Sequence, residues 1–329
     1  MKLSDKRWRG VSPAAGFVGL IAAAAFLATA CGKSNPSAPA APPAARIDLS
    51  SLRPSFEFGG GIVFQSDLDG DNDIYLLTGT GLRRLTDDPA SDEFPKWSPD
   101  GKRIAFSSNR TGRYQIHTMA SDGSDVRQVT HSEADAIEQA WFPDGRRLAF
   151  TEERRRAVGR SYILKSVGLD GGTAETLLPE FEGSSALPEF SPAAPVLGFT
   201  GKRLRGWDIY VVDLATRAVR PLTEGGHACR PHFSPDGAKI AYASSEADGK
   251  GDIWIMNSDG SGRERLTDRP DTYDYFASWS PDGRSIVFSS GTEHYPTQGI
   301  WSLAIVRVTT KRVIPLFGSG ARDVFPDWR

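Results

Sequence analysis

The chain has 329 residues, of which 24% are charged and 39% hydrophobic, an ordinary globular balance with ample material for a core. Its formal net charge is −2 and its pI about 6.2, so no global basic field exists to hold nucleic acid. The 34 glycines and 22 prolines suit a turn-rich, strand-rich protein.

The chain opens with Lys2, Lys6, Arg7 and Arg9, followed by an Ala-rich apolar run over residues 17–30. A charged start and a short apolar stretch read as a bacterial export signal, too short for a comfortable membrane span. The run ends Leu27-Ala28-Thr29-Ala30-Cys31-Gly32, which resembles a lipobox, although Ala28 stands where leucine is usual. Residues 1–30 are therefore expected to be removed and Cys31 lipidated. Gly32 is not aspartate, so the outer membrane, facing the periplasm, is the expected address. Residues 31–58 begin with a Pro-, Ala- and Ser-rich stretch that reads as an extended tether. Cys229, the other cysteine, is expected to be a small buried hydrophobe.

From residue 59 onward one unit repeats. Its clearest copies are PKWSPDGKRIAFSSNR (95–110), QAWFPDGRRLAFTEER (139–154), PHFSPDGAKIAYASSE (231–246) and ASWSPDGRSIVFSSGT (277–292), with a weaker one at 188–203. The anchors Trp97, Trp141, Phe190, Phe233 and Trp279 fall 43 to 49 residues apart. A second half also recurs, as in DIYLLTGTGLRRLT and DIWIMNSDGSGRERLT. Each unit reads as four short strands. Strand A ends at the aromatic residue and an Asp-Gly turn follows. Strand B is IAFSS-like and strand C DIY-like, and strand D leads to Leu-Thr. The turn aspartates Asp100, Asp144, Asp236 and Asp282 are expected to be structural.

Four strands every 40 to 50 residues mark a β-propeller. The first copy lacks strand A, and the chain stops at Phe325-Pro326-Asp327-Trp328-Arg329, a strand A with nothing after it. The C-terminal strand should complete the first blade and remove the open sheet edge, which gives six blades. The WSPDG, IAFSS, D-I-Y/W and R-x-L-T elements resemble the TolB-like propeller repeat over residues 59–329. The resemblance specifies the fold much better than the function. TolB itself carries a further α/β domain before its propeller, where this chain has a tether.

Candidate site residues were sought where the copies differ. The D-to-A and B-to-C loops share one face, expected to hold the channel mouth. Segments entering strand A bring Asp92, Glu93, Glu138, Gln139, Glu189, Arg230, His232, Tyr273, Asp274, Tyr275 and Asp323 toward it. The B-to-C loops carry a basic sector of Arg110, Arg113, Arg154, Arg155, Arg156, Arg160, Lys202, Arg203 and Arg205. Such a sector would suit an anionic partner. Blade 1 is acidic instead, with SDLDGDNDIY over residues 66–75. An EF-hand reading fails, because Asn72 and Thr78 stand where glycine and glutamate are needed. A weak calcium site on Asp67, Asp69 and Asp71 is the remaining metal reading; no other cofactor is expected.

The expected role is a non-catalytic envelope lipoprotein, monomeric, that binds a protein or peptide through its loop face and touches the membrane only by its lipid. One alternative is a solute sensor holding a glycan or peptide in the channel. Another is a metal-dependent polysaccharide lyase, since oligogalacturonate lyases resemble this fold. No G-x-S-x-G elbow occurs, and of the five histidines only His227 and His232 approach the mouth, which disfavours an enzyme.

Overall fold

A computed structural model describes residues 52–155, 159–203, 206–294 and 299–329. Within them lie six four-stranded antiparallel sheets. In blades 2 to 6 strand A leads the sheet: Asp92–Trp97, Asp135–Trp141, Ser184–Phe190, Ala228–Phe233 and Tyr273–Trp279. Blade 1 takes its strand A, Val324–Trp328, from the C-terminus, paired with Gly61–Ser66. The ring is thus closed as the terminal fragments predict.

Two local devices explain the repeated motifs. In the SPDG turns Ser98 Oγ donates to Asp100 at 2.7 Å and accepts from Arg103 N–H at 3.0 Å, and Gly101 sits at φ +69°. Ser234–Asp236 and Ser280–Asp282 repeat the first bond at 2.6 Å, so these carboxylates hold turns, as expected. The second device joins D-I-Y to Leu-Thr. Thr223 Oγ1 donates to Asp208 at 3.0 Å and accepts from Ile209 N–H at 2.9 Å. Thr86 does the same for Asp73 and Ile74, and Thr267 for Asp252 and Ile253. Strand C is thereby fastened to the segment leaving strand D, inside the protein, where an unpaired group would be costly.

Residues 52–58 fall in the stretch assigned from sequence to the tether, yet they lie against the ring. Leu52, Phe56 and Phe58 pack on the cluster that contains Phe64, Leu316 and Phe317. Ser55 N–H donates to Leu316 O at 2.7 Å. Phe58 meets Trp328 edge to face, with centroids 5.6 Å apart. This segment straps blade 6 to blade 1 beside the closing strand.

The Thr–Asp fastening predicts a large effect from a small change. Thr223→Val leaves the buried Ile209 N–H and Asp208 carboxylate each short of a partner. It should destabilise the protein by about 2 kcal/mol or more, read as a lower urea midpoint with an unchanged m-value. A wild-type midpoint would show that the fastening contributes nothing.

Candidate functional site: the propeller axis

Every strand A is kinked at one position. The ladder to strand B slips between Glu93 and Lys96, Ile137 and Ala140, Ala186 and Glu189, Cys229 and His232, and Tyr275 and Ser278, and likewise at the blade 1 closure. At each kink a non-glycine residue takes a left-handed conformation: Phe94, Glu138, Leu187, Arg230, Phe276 and Phe325, with φ from +55° to +62°. In four copies the next residue is proline, which has no N–H to lose where the ladder breaks. The kink N–H groups find partners in the preceding blade. Phe94 N–H donates to Gln65 Oε1 (3.0 Å), Leu187 N–H to Thr151 Oγ1 (3.1 Å) and Arg230 N–H to Thr200 Oγ1 (2.9 Å).

The six kink side chains meet on the axis and plug it. Phe325 lies 4.5 Å from Phe94 and 4.0 Å from Phe276, centroid to centroid. The Arg230 guanidinium sits over both Phe276 and Phe325 and pairs with Glu138 at 3.3 Å. Burial pushes the Glu138 carboxyl up, and the Arg230 charge offsets part of that. Behind the plug, toward the D-to-A loops, Tyr162, Trp207, Tyr275 and Trp301 belong to the same buried cluster. The face expected to hold the channel mouth is therefore filled.

Two residues beyond each kink a second ring forms from Lys96, Ala140, Glu189, His232, Ser278 and Asp327. Four of these close a loop in which two carboxylates alternate with Lys96 and His232. Lys96 Nζ lies 3.2 Å from Asp327 and 3.5 Å from Glu189, and His232 Nε2 lies 3.4 Å and 3.6 Å from the same two carboxylates. Burial pulls the Lys96 pKa down, but the Asp327 and Glu189 charges outweigh it and leave it raised. Burial pushes Asp327 up, yet the Lys96 charge, His232 and the Trp97 N–H hold it well below the usual carboxylate range. A chamber of about 70 Å³ separates this floor from the plug, large enough for water.

Above the floor a funnel of about 550 Å³ opens on the SPDG face. Trp97, Trp141, Phe190, Phe233, Trp279 and Trp328 form its wall. Trp141 and Trp279 tie their Nε1–H groups to the Lys96 and His232 carbonyls, at 3.1 and 3.0 Å. The open cavity on the axis thus lies on the face opposite to the one expected.

The structure separates the residues singled out from sequence. Glu138, Glu189, Arg230 and His232 do lie on the axis. Others are engaged inside the blades: Asp92 by Arg110, Asp274 by Arg269, Asp323 by Ser66 and Ser319, Gln139 by Ser107 and the Phe94 carbonyl. Glu93 accepts from Asn72, Ser91 and Tyr114. Tyr275 is buried, and Tyr273 stacks on it half-buried. In the basic sector Arg110 pairs with Asp88 and Asp92, Arg154 with Glu152 and Arg160 with Glu153. Arg113, Arg155, Lys202 and Arg203 are exposed and form no ion pair among the described residues. Arg156, Arg205 and Cys31 lie outside those residues. In the acidic loop Arg84 contacts Asp69 and Asp73, while Arg322 holds Asp67 at 2.7 Å, so a calcium ion there would compete with two guanidinium groups. Cys229 is buried, and burial pushes its thiol up to about 11.

Lys96 and Asp327 are not among the site residues read from sequence, and the wall aromatics enter there only as repeat anchors. The signal was present: the column before the aromatic anchor reads Lys, Ala, Glu, His, Ser and Asp, varied amid near-identical neighbours.

Two family models match the chain, the Tricorn protease N-terminal beta propeller domain over residues 61–187 and the TolB beta propeller domain over residues 167–326. The propeller is TolB-like. An uncharacterized protein of Agrobacterium fabrum, Atu1656, is 29% identical over 251 residues, covering 73% of this chain and 78% of that one. The Tol-Pal system protein TolB of Anaeromyxobacter dehalogenans is 33% identical over 116 residues, 35% of this chain and only 26% of that protein. Among solved structures, TolB from Acinetobacter baumannii superposes with a TM-score of 0.70 at 20% identity, covering 83% of this chain and 67% of that one. A putative TolB from Agrobacterium tumefaciens gives 0.62 at 22%, covering 80% and 92%. Oligogalacturonate lyase from Vibrio parahaemolyticus gives 0.54 at 14%, a likeness of fold alone.

The plug of this TolB-like ring yields a mutant cycle. Arg230→Leu strands the Glu138 carboxylate and should cost about 3 to 5 kcal/mol of stability. The double replacement Glu138→Leu, Arg230→Leu should recover most of it. If the double variant is no more stable than Arg230→Leu in chemical denaturation, the pair does not act as a unit.

Proposed function

We propose that this chain is a non-catalytic binding propeller of the cell envelope whose funnel receives a segment of a partner protein. The observation that carries this reading is the blind, aromatic-walled funnel of about 550 Å³ on the SPDG face, closed below by paired charges. Aromatic walls with a few polar groups at the base suit an inserted side chain or turn. Rigid blades pre-form the pocket, which lowers the ordering cost of binding. The floor charges are paired with each other, and the one wall hydroxyl, that of Ser234, holds the Asp236 turn. Neither arrangement supplies an activated nucleophile.

The envelope setting rests on the export-type N-terminus and is supported by the Tol-Pal system name of the TolB relatives. In this reading a lipid on Cys31 anchors a monomer to the outer membrane, facing the periplasm. The described chain begins with the strap whose Phe58 packs on Trp328 of the funnel wall, so the tether joins the body near the binding face.

A loop-face reading keeps one observation in its favour, the exposed cations Arg113, Arg155, Lys202 and Arg203. Crosslinked capture from native envelopes separates the two faces. The wild-type chain should enrich one partner, and Trp97→Ala should reduce that capture about tenfold. The double variant Arg113→Ser, Arg155→Ser should leave it unchanged. Capture that survives Trp97→Ala and is lost in the arginine variant would move the site to the loop face.

A further inference from the structure

Resting on the funnel reading above, we infer that the group received at the funnel floor is a basic side chain, arginine or lysine, of the partner segment.

The charge count comes first. The floor holds one fixed cation, Lys96, against two carboxylates, Glu189 and Asp327. At the mouth the Arg329 guanidinium donates to the Ser98 carbonyl at 3.1 Å. At the floor itself the two carboxylates outnumber the lysine cation by one.

The two carboxylates are not equally engaged. Asp327 is saturated: it accepts the Trp97 N–H at 2.7 Å and Lys96 at 3.2 Å, with His232 and Ser278 Oγ each at 3.4 Å. Glu189 has only Lys96 at 3.5 Å and His232 at 3.6 Å, both at or past the limit of a useful hydrogen bond. A carboxylate can accept about four hydrogen bonds, so Glu189 keeps most of its capacity. It is 17% exposed and lines both the chamber and the funnel.

The wall completes the case. The indole N–H groups of Trp141 and Trp279 are turned into the wall by their backbone bonds, so neither is offered to a ligand. Phe190, Phe233 and the proline rings offer no donors. Lys96, the floor's anion-binding candidate, is already held by Asp327. At the floor an anionic group would meet Glu189 and a lysine already held, whereas a cation would find π-rich walls and an underused carboxylate. A guanidinium or ammonium on a flexible stem can pass the aromatic ring and pair with Glu189 at its base.

Two short peptides test this on the full chain: acetyl-Ala-Gly-Arg-Gly-Ala-amide and its citrulline counterpart, which keeps the shape and loses the charge. Titrations are followed by tryptophan fluorescence at low salt. The arginine peptide should bind about tenfold more tightly than the citrulline peptide, and added salt should narrow the gap. Glu189→Gln should abolish the preference while leaving the citrulline peptide unaffected, with an unchanged melting curve as the folding control. The wild-type comparison needs no variant, so a misfolded mutant cannot hide the answer. Equal binding of the two peptides, or binding of neither at millimolar concentration, would overturn the inference. If envelope capture still depends on Trp97 in that case, the funnel remains the partner site and only the basic group is wrong.

Discussion

The constraint on which the molecule depends is the left-handed kink in the innermost strand of every blade. A non-glycine residue at positive φ costs about 1 kcal/mol or more, and six of them stand at these kinks. The kink breaks the local ladder and frees an N–H that the blade itself does not bind. Gln65, Thr151 and Thr200 supply the missing acceptor from the preceding blade for three of the six. Trp141 and Trp279 add indole bonds in the same direction. Each inner strand is therefore completed by its neighbour, and a blade cannot reach its native form alone. Closure by the C-terminal strand follows from this, because blade 2 needs Gln65 and Asp327 of blade 1 as much as blade 1 needs its inner strand.

The kink also decides what the axis looks like. It turns one side chain per blade to the centre, where four apolar groups and one ion pair shut the passage. Two residues on, the chain returns to register and presents the floor residues. Ala140 matters here through its smallness. It stands in blade 3, between Lys96 of blade 2 and Glu189 of blade 4, and leaves room for the lysine to reach across. A larger residue in that blade would separate the two charges. Plug and floor are both held by contacts between blades, and the funnel stands on them.

The fold was legible because the sequence states it six times. The WSPDG and D-I-Y/L-T signatures persist through their hydrogen bonds, the turn Ser–Asp pairs and the Asp–Thr pairs each closing within one blade. The terminal fragments revealed the closure for the same reason. The axis was legible only in part. Strict alternation along strand A cannot say which side chains face the centre once a residue is inserted. Asp92, Asp274 and Asp323 look like mouth residues, yet they occupy buried positions before the kink. The basic loops were read as free charge, although Arg110, Arg154 and Arg160 each meet a carboxylate brought near by pairing of strands or neighbouring loops. Residues 52–58 carry Leu52, Phe56 and Phe58, but no repeat flags them, so their docking could not be anticipated from self-similarity.

These particulars separate two kinds of position in one chain. Turn serines, strand C aspartates and strand D threonines are committed to bonds the fold cannot lose. In the column two residues past the kink only Asp327 and Ser278 bind backbone, at the Trp97 and Trp328 N–H groups. Its side chains project into the cavity, and the ladder runs through their backbones whatever they carry. The fold therefore makes demands on that column at Asp327 and Ser278, while Lys96, Glu189 and His232 stand there without a side-chain bond to the backbone. Side chains that hold no backbone group and gather at the base of the open axial cavity are where binding chemistry can be written. The uneven engagement of Glu189 and Asp327, equal in charge and neighbours on one floor, is the clearest mark of it.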